Sequence, residues 1–148
     1  SLGKAREAVK VRDDGPVRTG VEALRQSAEA MALLEDGAVN GIISDQIALA
    51  KRYAEDGFVQ NLEKSMRWFR AAAEQDDLDS QLQVAGMYQS GQGGVPDSRE
   101  AHFWYSIALA RGAAEATRPR EVLAGTLTAE ALESNAERAA AWLDRHPQ

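Results

Sequence analysis

Cysteine is absent from the 148-residue chain, and histidine occurs twice. The absence of cysteine excludes disulfides, thiolate zinc sites and thiol nucleophiles, although it leaves both oxidising and reducing compartments open. No apolar run approaches the ~20 residues that a membrane-spanning helix needs, so membrane insertion is not expected. The sequence therefore gives no indication of redox, thiolate-metal or membrane chemistry.

Strand-favouring residues are few, while alanine and arginine are abundant, and this composition favours helices. The net charge is -6, which argues against a nucleic acid or an anionic membrane as the partner. Basic groups slightly outnumber acidic ones in residues 1–20, but the acidic residues among them argue against a nucleic-acid-binding arm.

Aromatic residues recur at a nearly constant interval along the chain. Trp68, Trp104 and Trp142 are separated by 36 and 38 residues, and Tyr53 and Tyr88 by 35. Self-similarity at such a period is typical of repeat proteins, in which each unit buries its apolar face against its neighbours. We therefore interpret these aromatic side chains as core residues and not as exposed anchors for a partner.

Each repeat is predicted to be a hairpin of two helices, A and B. The apolar positions of helix A have helical spacing, with Leu49, Ala50 and Tyr53 in the first unit. Glycine turns at 56–57 and 91–94 are predicted to end the two A helices. Asn61 and Asp97 are predicted N-caps of the two B helices. The equivalent apolar positions in the second unit are Val84, Ala85 and Tyr88.

The chain divides into four parts: an N-terminal helical cap over 1–43, repeats over 44–79 and 80–112, and a degenerate repeat with a closing helix over 113–148. The N-terminal cap is expected to contain a short helix within 1–12. A second helix should start at the capping box Thr19–Glu22 and end near 36–37, followed by a loop over 37–43. Thr128 is the predicted N-cap of a final helix from about Ala129 to Arg145, and Pro119 falls in an early turn of the helix before it.

The second unit resembles a Sel1-like repeat, a relative of tetratricopeptide repeats. The pattern is Tyr88-x-x-Gly91-x-Gly93, then Val95-x-Asp97, Ala101-x-x-Trp104-Tyr105, Ala108 and Gly112. The first unit departs from it, with Asp56 and Asp76 in glycine positions and Phe69 in place of the tyrosine. The resemblance implies an all-α, right-handed α-solenoid of helix-turn-helix hairpins. It also implies a scaffold that holds another protein or peptide, in bacterial signalling or envelope assembly, with the envelope slightly favoured.

The A helices of such a solenoid line a concave inner face, which is the predicted partner-binding surface. The functional interpretation is a polar groove with one exposed methionine as an adaptable contact. The alternative is an ordinary solvated helix face. The predicted partner-binding residues are Gln46, Lys51, Arg52, Glu55, Gln81, Gln83, Met87 and Gln89.

Other motifs do not point to chemistry. The glycines of 91–94 lack the lysine of a phosphate-binding loop, and 76–79 does not continue into a calcium-binding pattern. His102 is expected to be partly exposed, and His146 lies in the tail, so neither has the partners that catalysis or a metal site needs. No cofactor, metal or catalytic residue is predicted.

Three functions stay open. The first is a monomeric, non-catalytic adaptor for another protein. The second is a small-molecule-binding or enzymatic helical domain that uses a pocket between hairpins. The third is an inhibitor of one partner enzyme, which sequence alone does not distinguish from an adaptor.

Overall fold

A computed structural model describes residues 20–55 and 59–148 of the chain. Across these two ranges the chain forms seven α-helices and one short 3₁₀ helix, without a strand, so the all-α prediction is confirmed. The predicted helix within 1–12, the Thr19 cap and the 56–57 turn lie outside the described residues. The α-helices are α1 (Gly20–Val39), α2 (Ile43–Glu55), α3 (Val59–Glu74), α4 (Leu78–Ser90), α5 (Ser98–Ala110), α6 (Thr117–Ala124) and α7 (Ala129–Arg145), and the 3₁₀ helix is Ala114–Ala116.

Helices α2 and α3 form the first hairpin, and α4 and α5 form the second. Small residues mark where the two helices of a hairpin meet. Ser65 Oγ donates to the main-chain oxygen of Ala50 at 2.7 Å, and both residues are fully buried. Ala85 and Ala101 are the fully buried counterparts in the second hairpin. Small side chains at these positions let the helices approach closely.

Aromatic rings fill the space between the second hairpin and α7. Trp104 and Trp142 are 1% and 3% exposed, and their rings meet edge to face with centroids 6.0 Å apart. Phe103 meets Trp104 in the same manner at 5.1 Å. Core packing of these two tryptophans is therefore confirmed, and Trp68 packs against the same core while partly exposed.

A glutamine near the start of each A helix ties it to the helix before. Gln46 Nε2 donates to the oxygen of Ala38 at 3.0 Å, and Gln81 Nε2 donates to the oxygen of Ala73 at 3.3 Å. Ala38 and Ala73 lie in the last turns of α1 and α3, where carbonyl groups lack partners within their own helix. The two bonds occupy equivalent positions 35 residues apart. Gln75 Nε2 in turn donates to Gln46 Oε1 at 2.9 Å, which links the two junctions.

Arg111 joins the turn before α4 to the end of α7. Its guanidinium forms a two-pronged pair with Asp76, at 2.9 Å from Nε to Oδ1 and 2.8 Å from Nη2 to Oδ2. It also donates to the main-chain oxygen of His146. Asp76 has a φ of 68°, a left-handed conformation that glycine adopts more readily, and it also accepts from Gln81 Nε2 at 3.0 Å. The aspartate in this glycine position is thus held by two partners that a glycine could not bind.

Three of the predicted helix caps are confirmed. The side chains of Asp97 and Thr128 accept from the main-chain nitrogens of Glu100 and Ala131, and Gly91 ends α4 with a φ of 80°. Asp77 likewise caps α4, as expected for a linker that leads into a helix.

Helix boundaries differ from the prediction at three places. Helix α1 continues to Val39 and ends at Gly41, which takes a φ of 83°, so the predicted loop over 37–43 is shortened. Gly37 is buried within the helix and does not end it. Asn61 lies inside α3 and does not cap it. The predicted helix before Thr128 is split into the 3₁₀ helix and α6, with Pro119 in the first turn of α6.

His102 is 3% exposed, so the expectation of partial exposure is wrong. Its Nδ1 lies 3.0 Å from Nδ2 of Asn135, a residue of α7 that is 1% exposed. The same amide donates to the oxygen of Arg99 at 2.9 Å, so it meets His102 as a donor and the ring nitrogen accepts. Burial lowers the pKa of His102 and the positive charge of Arg120 lowers it further, which keeps the ring neutral in this contact.

Replacing Arg111 with alanine should lower the free energy of unfolding by about 2–3 kcal/mol, because Asp76 keeps its strained backbone and loses its main partner. Urea denaturation followed by circular dichroism measures the change. Arg118→Ala, at an exposed position, is the matched control and should change stability by less than about 0.5 kcal/mol. Equal effects of the two substitutions would contradict the role given to Arg111.

The buried neutral His102 should make stability depend on pH. Since the folded-state pKa is lowered, the unfolded chain binds the proton more readily. Stability should be complete above the ordinary histidine pKa of 6.5 and should fall as the pH drops from there through the lowered pKa. Urea midpoints of the native protein and His102→Gln between pH 7.5 and 5.0 test this, and parallel curves would refute it.

Candidate partner-binding surface

The A helices present an uncovered stripe to solvent. In α2, Ser44, Lys51 and Glu55 are exposed and Ala48 is half-buried. These positions are spaced i, i+4, i+7 and i+11, so they share one side of the helix. The opposite side carries Leu49 and the other residues that pack in the core.

The same stripe recurs 35 and 70 residues later. Stacked equivalent units present equivalent positions on the same side of the array, so the three stripes form one surface, which we call the A-face. Apart from the half-buried Ala48 and Gly86, all of its residues are exposed. The A-face consists of Ser44, Ala48, Lys51 and Glu55 on the first unit, Asp79, Gln83, Gly86 and Ser90 on the second, and Ala114, Arg118, Glu121 and Gly125 on the third.

The middle of the A-face carries no side chain, because the residue there is Gly86. A Cβ atom added there would have only the hydroxyl of Tyr105 nearby, at 3.8 Å. That hydroxyl donates to Gln89 Oε1 at 3.0 Å. Burial raises the pKa of Tyr105, so the phenol keeps its proton at neutral pH. The helix backbone has no side chain of its own at this point, and a phenol and an amide lie beside it.

Five of the eight sequence-predicted residues are at least partly accessible. Lys51, Glu55 and Gln83 lie on the A-face, and Gln89 is exposed beside it. Arg52 is half-buried and turns towards α1, where it donates to Ser27 Oγ. Whether these residues bind a partner stays a prediction.

The other three predicted residues are buried, so their expected exposure is wrong. Gln46 and Gln81 are 5% and 0% exposed because their amides bind the carbonyl groups of the preceding helix. Met87 is 3% exposed and lies beneath the glycine loop. A Cβ on Gly93 would stand 3.3 Å from its Cε and 2.6 Å from Cβ of Met66, so the glycine is what lets the loop cover both methionines.

The sequence interpretation missed several members of the A-face. Asp79, Gly86, Arg118 and Glu121 were not singled out. The available signal was the 35-residue offset. Adding it once or twice to the number of each A-face position in α2 gives the equivalent position in α4 or in residues 114–125.

Several motifs weighed in the sequence analysis have structural roles in the described residues. No group of three potential metal-binding side chains occurs among them, and no helix in this part of the chain is long and apolar enough to cross a membrane. Gly91 ends α4, and Asp76 and Asp77 serve an ion pair and a helix cap. Burial also raises the pKa of Tyr53, whose hydroxyl donates a hydrogen bond to Glu35 Oε1 at 3.1 Å.

Comparison with known families and structures identifies the type of repeat. The family model described as the Sel1 repeat matches residues 43–77 and 78–112. Among solved structures, the chain is similar to c5321, a protective antigen present in uropathogenic Escherichia coli strains and displaying an SLR fold, at 22% identity and a TM-score of 0.67. The similarity covers 80% of this chain and 26% of that chain, so this chain spans about a quarter of its length. This likeness confirms the solenoid fold. No curated protein matches the chain.

The buried glutamines are expected to act on stability. Gln81→Ala should lower the free energy of unfolding by about 2 kcal/mol, because it removes two hydrogen bonds and leaves a cavity. Gln83→Ala, two residues away on the exposed A-face, should change it by less than about 0.5 kcal/mol. Chemical denaturation of both variants checks this, and an equal loss in both would contradict the assignment of Gln81 to the core.

Proposed function

Because residues 43–77 and 78–112 are Sel1 repeats, which are generally protein-interaction modules, we propose that this chain is a non-catalytic adaptor that binds a protein or peptide along the A-face. The single observation that carries this proposal is the continuity of the A-face. The same four positions of three successive units, on α2, on α4 and in residues 114–125, are left without cover by any described part of the chain.

The chemistry of the A-face suits a polar, extended partner segment. Lys51 and Arg118 provide positive charge, while Glu55, Asp79 and Glu121 provide negative charge. Mixed charge of this kind favours selectivity and orientation more than raw affinity. The missing side chain at Gly86, in the middle of the A-face, leaves room for the main chain of a partner.

The cellular setting is part of the proposal. We place the adaptor in a bacterial signalling or envelope complex. Support comes from the resemblance of the repeats and from the similar fold of an antigen of uropathogenic Escherichia coli. Inhibition of one partner enzyme is a special case of the same binding.

An enzymatic function has less support. Perturbed pKa values tend to cluster at catalytic sites. In the described residues the shifted groups are Tyr53, Tyr88, Tyr105 and His102, and each has a structural partner or a buried environment within the helix packing. No pair among them forms a nucleophile and base.

The test adds a large side chain at the middle of the A-face. Gly86→Arg places a long side chain at its centre, and the substitution should not harm the helix because the site is open and glycine is a poor helix former. The matched control is Ala136→Arg, which adds the same charge at an exposed position of α7. Proteins that native protein retains from a lysate of the source cells are identified by mass spectrometry, and their affinities are then measured directly.

The adaptor proposal expects a retained protein whose affinity falls at least about tenfold with Gly86→Arg and is unchanged with Ala136→Arg. Equal binding by both variants would show that the A-face is not the binding surface. Retention of no protein by the native chain, even after chemical cross-linking, would refute the adaptor itself.

A further inference from the structure

A second recessed surface lies on the side of the B helices. Helices α3, α5 and α7 enclose a cleft of about 220 Å³, which we call the B-cleft. Ala141, an exposed residue of α7, lines it, and its small side chain leaves the space open. Sites for drug-sized ligands occupy roughly 300–1,000 Å³. The B-cleft is smaller and is suited to a single amino-acid residue.

The charged side chains of the B-cleft that form no ion pair and no hydrogen bond to its tryptophans are arginines, so the remaining charge is positive. Its two carboxylates are already engaged: Glu74 accepts from Trp142 Nε1 at 3.1 Å, and Glu100 pairs with Arg138 at 2.8 Å. The cleft also contains Arg70 and Arg145, both exposed. Arg70 donates to the hydroxyl of Tyr88 at 2.7 Å, and neither arginine forms an ion pair with a described residue.

This local excess stands out on a chain whose net charge is -6. The planar guanidinium group binds a carboxylate through two parallel hydrogen bonds, which makes arginine the usual residue for recognising that group. The two arginines without an ion pair therefore favour an anionic ligand, and a carboxylate is an anion that guanidinium groups bind well.

Aromatic surface forms the inner part of the B-cleft. Phe103, Trp104 and Trp142 line it, with the two tryptophan rings packed edge to face. Arg138 lies over the ring of Phe103, 4.2 Å from its centroid, so this arginine is held in place by the core and by Glu100. An apolar side chain that enters the cleft would contact the small accessible part of these rings, which are 4% exposed or less.

Two polar atoms in residues of the cleft wall lack a hydrogen-bond partner among the described residues. They are the indole nitrogen of Trp104, a donor, and Oε2 of Glu100, an acceptor. Both atoms are buried, so a ligand reaches them only after a small side-chain shift, which the soft last torsion of a glutamate permits. The Trp104 indole therefore lacks an acceptor, and Glu100 Oε2 lacks a donor.

From these features we infer that the B-cleft binds the carboxy-terminal residue of a partner protein, with an apolar side chain at that residue. A chain end supplies a carboxylate for Arg70 and Arg145, a side chain for the aromatic wall, and a main-chain N–H for Glu100. This surface is separate from the A-face and does not depend on the adaptor proposal for that face.

The test compares two peptides that differ only at the chain end. N-acetyl-Gly-Gly-Phe with a free carboxylate should bind at least about tenfold more tightly than the same peptide as its carboxamide, because only the former carries the charge. Binding is followed through tryptophan fluorescence, to which Trp104 and Trp142 contribute, and confirmed by ligand-observed NMR. Equal binding of the two peptides would overturn the inference.

Variants locate the site without disturbing the core. Ala141→Leu fills the B-cleft and should abolish binding, and Arg145→Gln and Arg70→Gln should each weaken it roughly five- to tenfold. Arg67→Gln removes the same charge from an exposed position of α3 outside the cleft and should have no effect. Full affinity in Ala141→Leu would overturn the inference, as would equal loss in Arg67→Gln.

Two further measurements separate this inference from other outcomes. 3-Phenylpropionate has the carboxylate and the ring but no peptide N–H, and binding as tight as that of the peptide would overturn recognition of a chain end in favour of a free organic acid. Gly86→Arg alters only the A-face and should leave peptide affinity unchanged. Loss of binding in that variant would place the peptide on the A-face and overturn the B-cleft assignment.

Discussion

The carbonyl groups at the ends of α1 and α3 are the constraint on which the stacking of this protein depends. A helix leaves its last carbonyls without partners, and a buried polar group without a partner is costly. Gln46 and Gln81 meet that need from the following helix, since each amide reaches back to an alanine oxygen eight residues earlier. The bond that completes one helix therefore also fixes the position of the next hairpin.

The junctions also determine which surfaces stay open. With their glutamines turned inward, α2 and α4 have their opposite sides directed to solvent, and these sides form the first two units of the A-face. After the second repeat, the equivalent of the glutamine position is Ala116. Arg111, at the end of α5, instead joins Asp76 to the end of α7. The closing helix is thereby brought against α5, where Trp142 and Asn135 contact Trp104 and His102. The B-cleft is a product of that same docking.

Periodic features of the fold could be predicted from the sequence, whereas contacts between distant residues could not. The tryptophan interval, the caps at Asp97 and Thr128 and the limits of α7 follow from local spacing and cap chemistry. His102 is buried against Asn135, a residue 33 positions later in the chain. A contact between such distant residues cannot be predicted from the local sequence pattern. The prediction places Gln46 and Gln81 on the concave face because they lie outside the apolar positions of the A helices. Their identity at equivalent positions was the signal that each has a structural partner.

The constant offset of the glutamine bonds has a consequence for how such a chain can grow. Each junction is encoded by a glutamine in one unit and an alanine oxygen in the unit before it, so a duplicated 35-residue segment carries both halves of a new junction. A gene duplication between residues 43 and 112 would thus add a hairpin whose two ends already match their neighbours. Ala116 ends this compatibility, because it offers no side-chain donor. The glutamine bond therefore does not recur at the junction that follows the second repeat.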